Sequence, residues 1–192
     1  MAVKSIMIVG VGGQGTLLAS RLLGSALLSR GHDVKVSEVH GMSQRGGSVV
    51  TYVKYGESVS SPIVNKGEAD LILSFEQLEA ARWLDYMKPE GKMIVNTQKI
   101  EPMTVVTGAA TYPQGVIETL RSAGAQLIQI DAFSMALEVG SPKVVNVVLI
   151  GAMATHMDIP YETWIKAVKD TVPAKFLELN LKAFDMGYNS KA

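Results

Sequence analysis

Cysteine is absent from this chain of 192 residues, and its absence excludes several kinds of chemistry at once. Without cysteine the chain can form no disulfide, ligate no iron–sulfur cluster through thiolates and offer no thiol nucleophile. Histidine is scarce as well, because only His32, His40 and His156 occur and their spacing matches no zinc motif. We therefore expect no metal site on this chain.

Long apolar runs and an excess of either charge are also missing. No stretch approaches the roughly 20 unbroken apolar residues of a membrane-spanning helix, and 18 basic residues balance 18 acidic ones. Neither a membrane nor a nucleic acid is therefore an expected partner. The N-terminal apolar run is followed by no small-residue cleavage site, which together with the missing cysteine predicts a cytoplasmic location.

Apolar residues, in contrast, are plentiful. They make up 47% of the chain, ten residues are Met, and the mean hydropathy is +0.20. This composition predicts one folded domain with a large core. The high content of apolar residues has two possible interpretations. Either the core is simply well packed, or the chain is a subunit that buries part of its surface against another chain through adaptable Met side chains.

Short buried strands alternate with helical patterns along the whole chain. Residues 4–9, followed by a glycine-rich turn, a helix and a second strand, predict a βαβ unit with a right-handed crossover. We expect Asp131 to cap a helix and Glu76 to lie on a solvated face. The complete pattern predicts one Rossmann-like α/β domain over residues 1–192, a mostly parallel open sheet with helices on both faces. The predicted strands are 4–9, 34–39, 48–55, 69–74, 92–96 and 125–131, and the predicted helices are 16–29, 75–87, 132–139, 142–156, 161–170 and 173–186.

The turn after the first strand reads GVGGQG at 10–15 and is the first candidate site. Glycines at the first, third and sixth positions allow a tight turn, close approach of a phosphate, and close packing of the following helix. Glu38 follows Gly15 by 23 residues, where a dinucleotide fold places its ribose-binding acid. The spacing favours NAD or FAD binding, and the alternative is a purely structural turn. The candidate contact residues here are Gly10, Gly12, Gly13, Gln14, Gly15, Thr16 and Glu38.

A polar loop with several glycines follows Glu38 and is the second candidate site. It is expected at the carboxyl ends of the strands, where ligands of such sheets bind. Arg45 is suited to pair with a phosphate, a carboxylate or an acid of another subunit, whereas the alternative is a solvated loop that only turns sharply. His40 is a candidate for proton transfer, or for hydrogen bonding alone. The candidate contact residues are Ser43, Gln44, Arg45, Gly46, Gly47 and Ser48.

Two segments, GVGGQG at 10–15 and EVHGMSQRGGSV at 38–49, carry a family resemblance. With the spacing between them, they resemble the gamma-type subunits or domains of the 2-oxoacid:ferredoxin oxidoreductases, and within that family most closely the indolepyruvate branch. The resemblance covers nearly the whole chain, which it identifies as one domain of the pyruvate/ketoisovalerate oxidoreductase gamma type. It continues through Asn146, Gly151, Asn180, Ala183, Phe184, Gly187 and Tyr188.

The resemblance implies a division of labour between subunits. Thiamine diphosphate and iron–sulfur clusters would lie on a large (alpha) subunit, coenzyme A would accept the acyl group, and ferredoxin would take the electrons. This chain would bind no cofactor alone, would be inactive alone, and would contact coenzyme A or the large subunit. The complex would oxidatively decarboxylate a 2-oxo acid, an aryl pyruvate in the indolepyruvate branch. The chain would supply positioning and exclusion of water rather than an acid or base, with Arg45 and His40 as possible support.

Two other classes of function stay open on the residues alone. A stand-alone nucleotide-binding protein of the NAD or FAD type would bind its nucleotide saturably. A regulatory scaffold on a degenerate nucleotide fold would bind a partner without affecting turnover. The sequence also leaves open whether the isolated chain self-associates.

Replacement of Arg45 by alanine distinguishes between the two interpretations of this loop, a binding loop and a solvated loop. If the loop binds, Arg45→Ala lowers turnover of the assembled enzyme with little change in Tm, because a loop side chain contributes little to folding. Steady-state kinetics and a thermal melt of the purified complex measure both quantities. Full turnover in the variant would remove Arg45 from the site.

Overall fold

The computed structural model describes residues 2–39 and 46–190, which form a six-stranded sheet covered by helices. The strands are β1 (Lys4–Val11), β2 (Asp33–Val39), β3 (Ser48–Gly56), β4 (Ala69–Ser74), β5 (Met87–Asn96) and β6 (Gln126–Ile130). The helices are α1 (Thr16–Ser29), α2 (Gln77–Arg82), α3 (Met103–Val106), α4 (Val116–Ser122), α5 (Ala132–Val139), α6 (Val145–Ala154), α7 (Tyr161–Thr171) and α8 (Leu177–Tyr188). Short 3₁₀ turns cover Leu84–Tyr86, Pro142–Val144 and Ala174–Phe176.

The sheet is mostly parallel and open, as the sequence predicts. Its strand order is β2-β3-β1-β4-β5-β6, and β1, β4, β5 and β6 pair in parallel. The expectation of a simple βαβ unit is wrong in one respect, because β3 lies between β1 and β2 and pairs antiparallel with both. This insertion separates Glu38 from the glycine turn by one strand.

Two separate cores lie on the two faces of the sheet. Side chains of successive β1 residues point to opposite faces, as a strand requires. Ile6 and Ile8 pack into the core formed with α1, α5, α6, α7 and α8. Met7 and Val9 pack into a smaller core with α2 and α4. Helices therefore cover both faces, and β1 is buried on both, which explains its continuous apolar run.

Two glycines set the distance between α6 and α8. A Cβ on Gly151 would stand 2.2 Å from the carbonyl oxygen of Phe184. A Cβ on Gly187 would stand 1.9 Å from the carbonyl oxygen of Val148. Both distances are well below van der Waals contact, so the backbones approach as closely as they do only because neither position carries a side chain.

This packing corrects one boundary predicted from the sequence. Gly187 was expected to end the last helix, because glycine commonly follows a helix C-terminus. Instead α8 continues through it to Tyr188. The glycine serves the contact with α6 rather than a helix stop.

A second correction concerns the predicted helix 75–87. The helix α2 covers only Gln77–Arg82, and Met87 begins β5 by pairing with Ala69. The register shifts between Ala69 and Leu71, so residues 88–91 form an irregular stretch inside the strand. Such an irregularity accommodates Pro89, which has no amide hydrogen to donate to the ladder. The short helices α3 and α4 have no counterpart in the sequence prediction.

The contact between α6 and α8 makes a stability prediction. Gly151→Ala should lower the free energy of unfolding by about 1–3 kcal/mol or more, because a methyl group has no room beside the Phe184 carbonyl. The matched control is Gly24→Ala in α1, where a Cβ would meet nothing within 4 Å. That change should be neutral or stabilise by about 0.5–1 kcal/mol. Urea unfolding of both variants checks this, and equal stabilities would contradict it.

Candidate functional site

The glycine turn lies at the carboxyl end of β1 and leads into α1. Gly15 has the left-handed φ of 83° and precedes the first helical residue, with no side chain capping the helix. Asn146 of α6 donates from Nδ2 to the Gly15 carbonyl at 3.2 Å, and a Cβ on Gly15 would stand 2.6 Å from that Nδ2. A Cβ on Gly10 would stand 2.9 Å from the Cβ of Phe75. Gly15 therefore requires glycine for conformation and for space, whereas Gly10 requires it for space alone.

Gln14 closes the turn from within. Its Oε1 accepts from the amide of Val11 at 2.8 Å, and its Nε2 donates to the carbonyl of Phe75 at 2.9 Å. The side chain thus ties the turn to the end of β4 and is half-buried. Thr16, the next polar residue, is buried at the start of α1. Neither side chain extends freely from the helix start.

Neutral amides continue this network across the carboxyl edge of the sheet. Asn96, fully buried at the end of β5, donates from Nδ2 to the Phe75 carbonyl at 3.0 Å. Its Oδ1 accepts from the amide of Ala132 at 3.2 Å, which connects β5 to the start of α5. Gln98 contributes Oε1 at 3.4 Å from Nδ2 of Asn96 and at 3.4 Å from Nε2 of Gln14. The ends of β1, β4 and β5 are joined by uncharged groups.

The two glycine-containing motifs meet at this edge. The amide of Gly12 donates to the carbonyl of Gly47 at 2.8 Å, and the amide of Gly46 donates to the carbonyl of Gly12 at 3.2 Å. Val11 is paired with Ser48 in the antiparallel ladder, so the contact extends the β1–β3 pairing by two residues. The structure therefore brings together Gly12, Gly46, Gly47 and Ser48. The candidate residues His40, Ser43, Gln44 and Arg45 lie outside the described residues.

Two buried acids support the described part of this second motif. Glu76, expected on a solvated face, is instead 1% exposed. Its Oε2 caps α2 by accepting from the amide of Glu79 at 3.0 Å, and its Oε1 accepts from the amide of Ile100 at 3.2 Å and from the hydroxyl of Tyr112. Burial and the adjacent Glu76 raise the pKa of Tyr112. The tyrosine therefore stays protonated and remains a donor.

Glu79 is the second buried acid, and it contacts the motif directly. Its carboxylate accepts from the Ser48 hydroxyl and lies 3.3 Å from Nε of Arg82. Burial raises the pKa of Glu79, and the Ser48 and Arg82 contacts only partly oppose that rise. The charged form of Glu79 is thus disfavoured by folding.

A cleft of about 430 Å³ opens beside the glycine turn. Its walls come from the turn, the segment after β5, the start of α5 and the turn before α6. The uncapped first turn of α1 supplies free amide groups and a partial positive charge of the kind that binds anions. Lys143 adds a positive charge, while Phe133 and Ile100 add apolar surface. The full lining is Gly13, Gln14, Gly15, Gln98, Ile100, Phe133, Pro142, Lys143 and Val145.

Several of these residues were not singled out from the sequence. Gln98 follows the end of a predicted strand, so the rule that ligands bind at strand carboxyl ends was available to find it. Phe133 follows the Asp131 cap, which does accept from the amide of Ser134 at 3.0 Å as expected. Lys143 and Glu79 carry no sequence signal of their own, because only the packing of distant segments brings them to the site.

Glu38 occupies a different place from a ribose-binding acid. In a dinucleotide fold that acid ends the strand beside β1, whereas here β3 lies between. Its Oε1 accepts from the Ser20 hydroxyl of α1 at 2.7 Å. The structure does not bring Glu38 to the cleft lining.

Residues 2–39 and 46–190 contain no group of three or more His, Asp or Glu side chains placed to hold a metal ion. Within the same ranges no helix has the length and apolar character needed to cross a bilayer.

Comparison with known proteins assigns the chain to a family. The model of the family described as pyruvate ferredoxin/flavodoxin oxidoreductase matches residues 5–190. The chain belongs to this family. Within the family, an indolepyruvate oxidoreductase subunit IorB of Thermococcus kodakarensis is 44% identical over 190 residues, covering 95% of this chain and 93% of the relative. A pyruvate/ketoisovalerate oxidoreductase common subunit gamma of the same organism is 26% identical, covering 94% of this chain and 92% of the relative.

Solved structures of other oxidoreductases share the fold. The gamma subunit of a keto/oxoacid ferredoxin oxidoreductase from Geobacter sulfurreducens has a TM-score of 0.72 at 26% identity and covers 96% of each chain. A 2-oxoglutarate:ferredoxin oxidoreductase from Magnetococcus marinus has a TM-score of 0.74 at 20% identity, over 98% of this chain and 31% of that one. In the Magnetococcus marinus protein, the region that matches this chain is one part of a longer polypeptide.

The Gln14 bridge makes a stability prediction. Gln14→Glu should lower the free energy of unfolding by about 1–3 kcal/mol, because a carboxylate oxygen would replace the amide donor that faces the Phe75 carbonyl. Gln114→Glu introduces the same charge at an exposed loop position and is the control. Thermal melts at pH 7 compare the two. A Gln14 variant as stable as the Gln114 variant would show that the bridge contributes nothing.

Proposed function

We propose that this chain is the small subunit of an indolepyruvate-type 2-oxoacid:ferredoxin oxidoreductase. The complete enzyme oxidatively decarboxylates an aryl pyruvate to its acyl-coenzyme A and passes the electrons to ferredoxin. One observation carries the proposal: the 44% identity to an indolepyruvate oxidoreductase subunit, over 95% of this chain. Because the identity spans nearly the full length of both chains, it concerns a whole subunit rather than a shared nucleotide-binding motif.

The chemistry of the chain agrees with a subunit that depends on a partner. It has no cysteine to ligate iron–sulfur clusters, so a large subunit would hold these together with thiamine diphosphate. Among the described residues, the cleft beside the glycine turn is lined by amides, glycines and apolar side chains and by one ionisable group, Lys143. Such a wall is suited to position a reactant and to exclude water.

Coenzyme A is the co-substrate that fits this wall. Its phosphates carry the negative charge that a helix N-terminus and Lys143 attract. Its adenine and pantetheine portions are suited to the apolar side chains of Ile100 and Phe133. The proposed role of the cleft is to contact coenzyme A beside the large subunit.

Exposed apolar side chains near the carboxyl edge provide a surface for the large subunit. Phe133 and Leu137 on α5 are 36% and 50% exposed, and Met103 and Val106 on α3 are 70% and 63% exposed. Exposed apolar side chains of this size are typical of surfaces that another chain covers. The same apolar surface would allow the isolated chain to self-associate.

The alternative of a stand-alone NAD or FAD protein is not favoured. The residue expected to bind ribose, Glu38, is engaged by Ser20 and lies one strand away from its place in dinucleotide folds. Residues 2–39 and 46–190 form a single α/β domain around one sheet.

Reconstitution with the candidate large subunit tests the proposal. Reduction of ferredoxin or a viologen by indolepyruvate, thiamine diphosphate and coenzyme A should require both chains. The variant Phe133→Asp should weaken assembly, since it places a charge in the apolar surface. Ile63→Asp is the control, because Ile63 is 47% exposed in the loop that leads to β4 at the opposite edge of the sheet.

Each outcome has a distinct meaning. Activity that needs both chains, with assembly lost only in the Phe133 variant, supports the subunit role and the contact surface together. Full activity of the large chain alone would overturn the subunit role. Equal assembly of the two variants would overturn the contact surface only.

A further inference from the structure

The contact between the first glycine motif, at 10–15, and the second, at 46–48, is formed by backbone atoms only. Gly12 and the pair Gly46–Gly47 are held by two backbone hydrogen bonds. Gly46 has φ of 83°, a left-handed conformation that glycine adopts without the steric penalty of a side chain. Ser48 is the first residue after these glycines with a side chain. Among the described residues, the side chain nearest to these glycines along the chain is therefore that of Ser48.

Ser48 is fixed by α2 rather than by its own strand. Its hydroxyl donates to Oε2 of Glu79. Glu79 is itself immobilised, because its amide donates to Glu76 and its second carboxylate oxygen faces Arg82. Glu76 is tied in turn to Ile100 and Tyr112. The end of the second motif thus connects, through two acids, to the segment that forms the wall of the cleft.

Stability alone does not account for an acid at position 79. The Glu79 side chain is 5% exposed and its only cationic partner among the described residues, Arg82, is half exposed. Burial raises the pKa of Glu79, so folding works against the charge. A neutral side chain of similar size would avoid that cost, since replacing a buried ionic group by an apolar one is often neutral or stabilising.

We infer that Glu79 is a positioning residue, which holds Gly46 and Gly47 against Gly12 through Ser48 for the reaction of the assembled enzyme. This inference rests on the proposed function. Its effect is exerted on the backbone of the second motif, so Glu79 touches neither substrate nor cofactor. Misplacement of a positioning group by about 1 Å is enough to cost on the order of 100-fold in rate.

The central variant is Glu79→Leu, which removes the acceptor of Ser48. Ser48 is exposed and Arg82 is half exposed, so both side chains can donate to water after the change. We expect Tm to stay unchanged or to rise, while kcat/KM of the reconstituted complex falls on the order of 10- to 100-fold. Glu79→Gln should restore part of the activity, because its carbonyl oxygen still accepts from the Ser48 hydroxyl.

A double-mutant cycle tests the connection between the two side chains. Ser48→Ala should lower kcat/KM as Glu79→Leu does, and the double variant should be no worse than either, because both break one contact. Tyr161→Phe is the matched control. It removes another hydroxyl-to-carboxylate bond, from Tyr161 to Asp185 at 2.6 Å, which joins α7 to α8 away from the glycine motifs.

Amide hydrogen exchange of the full-length chain gives a readout that does not depend on activity. Exchange at Gly12 and Gly46 should accelerate in Glu79→Leu and Ser48→Ala, but not in Tyr161→Phe. Accelerated exchange with full turnover would overturn the positioning role, as would additive losses in the cycle or a fall in Tm that parallels the loss of turnover. A wild-type complex without turnover would instead refute the proposed function, and unchanged exchange would refute the contact itself.

Discussion

The antiparallel pairing of β1 with β3 is the constraint on which the rest of the site depends. Eight consecutive residue pairs, from Lys4 with Tyr55 to Val11 with Ser48, fix the register of the two strands. A shift by one residue would turn Val9 and Val50 from the core toward the opposite face, at a cost that buried apolar side chains make prohibitive. The register therefore decides that Gly47 lies opposite Gly12, although the two are distant in sequence.

Neutral and charged side chains lie in different places around this pair of strands. Amides of Gln14, Asn96 and Gln98 join the carboxyl ends of the parallel strands, and they bear no charge that could repel an anion in the cleft. The buried carboxylates of Glu76 and Glu79 lie instead beneath the second glycine motif, on α2. This distribution favours anion binding beside the first motif and rigid support beside the second.

Local sequence patterns were sufficient to predict most helices and strands of the fold. The apolar run of β1, the helix before Gly31 and the Asp131 cap follow from side-chain periodicity and backbone preferences, which act within a few residues. The failures lie where distant segments decide the outcome. Met87 is extended because Ala69 pairs with it, and α8 passes through Gly187 because α6 packs against it. Glu76 looks like a surface acid until the Ile100 amide and the Tyr112 hydroxyl are found beside it.

The amino-acid sequence alone was enough to predict the class of the domain, the two glycine motifs and the family resemblance that they carry. It did so because hydrophobic periodicity, glycine spacing and the absence of cysteine are properties that need no knowledge of neighbours in space. Sequence patterns could not predict that β3 is inserted beside β1, that Glu38 accepts a hydrogen bond from Ser20, or that Lys143, Phe133 and Glu79 lie around the glycines. These depend on strand order and on helix packing, which bring together residues far apart along the chain.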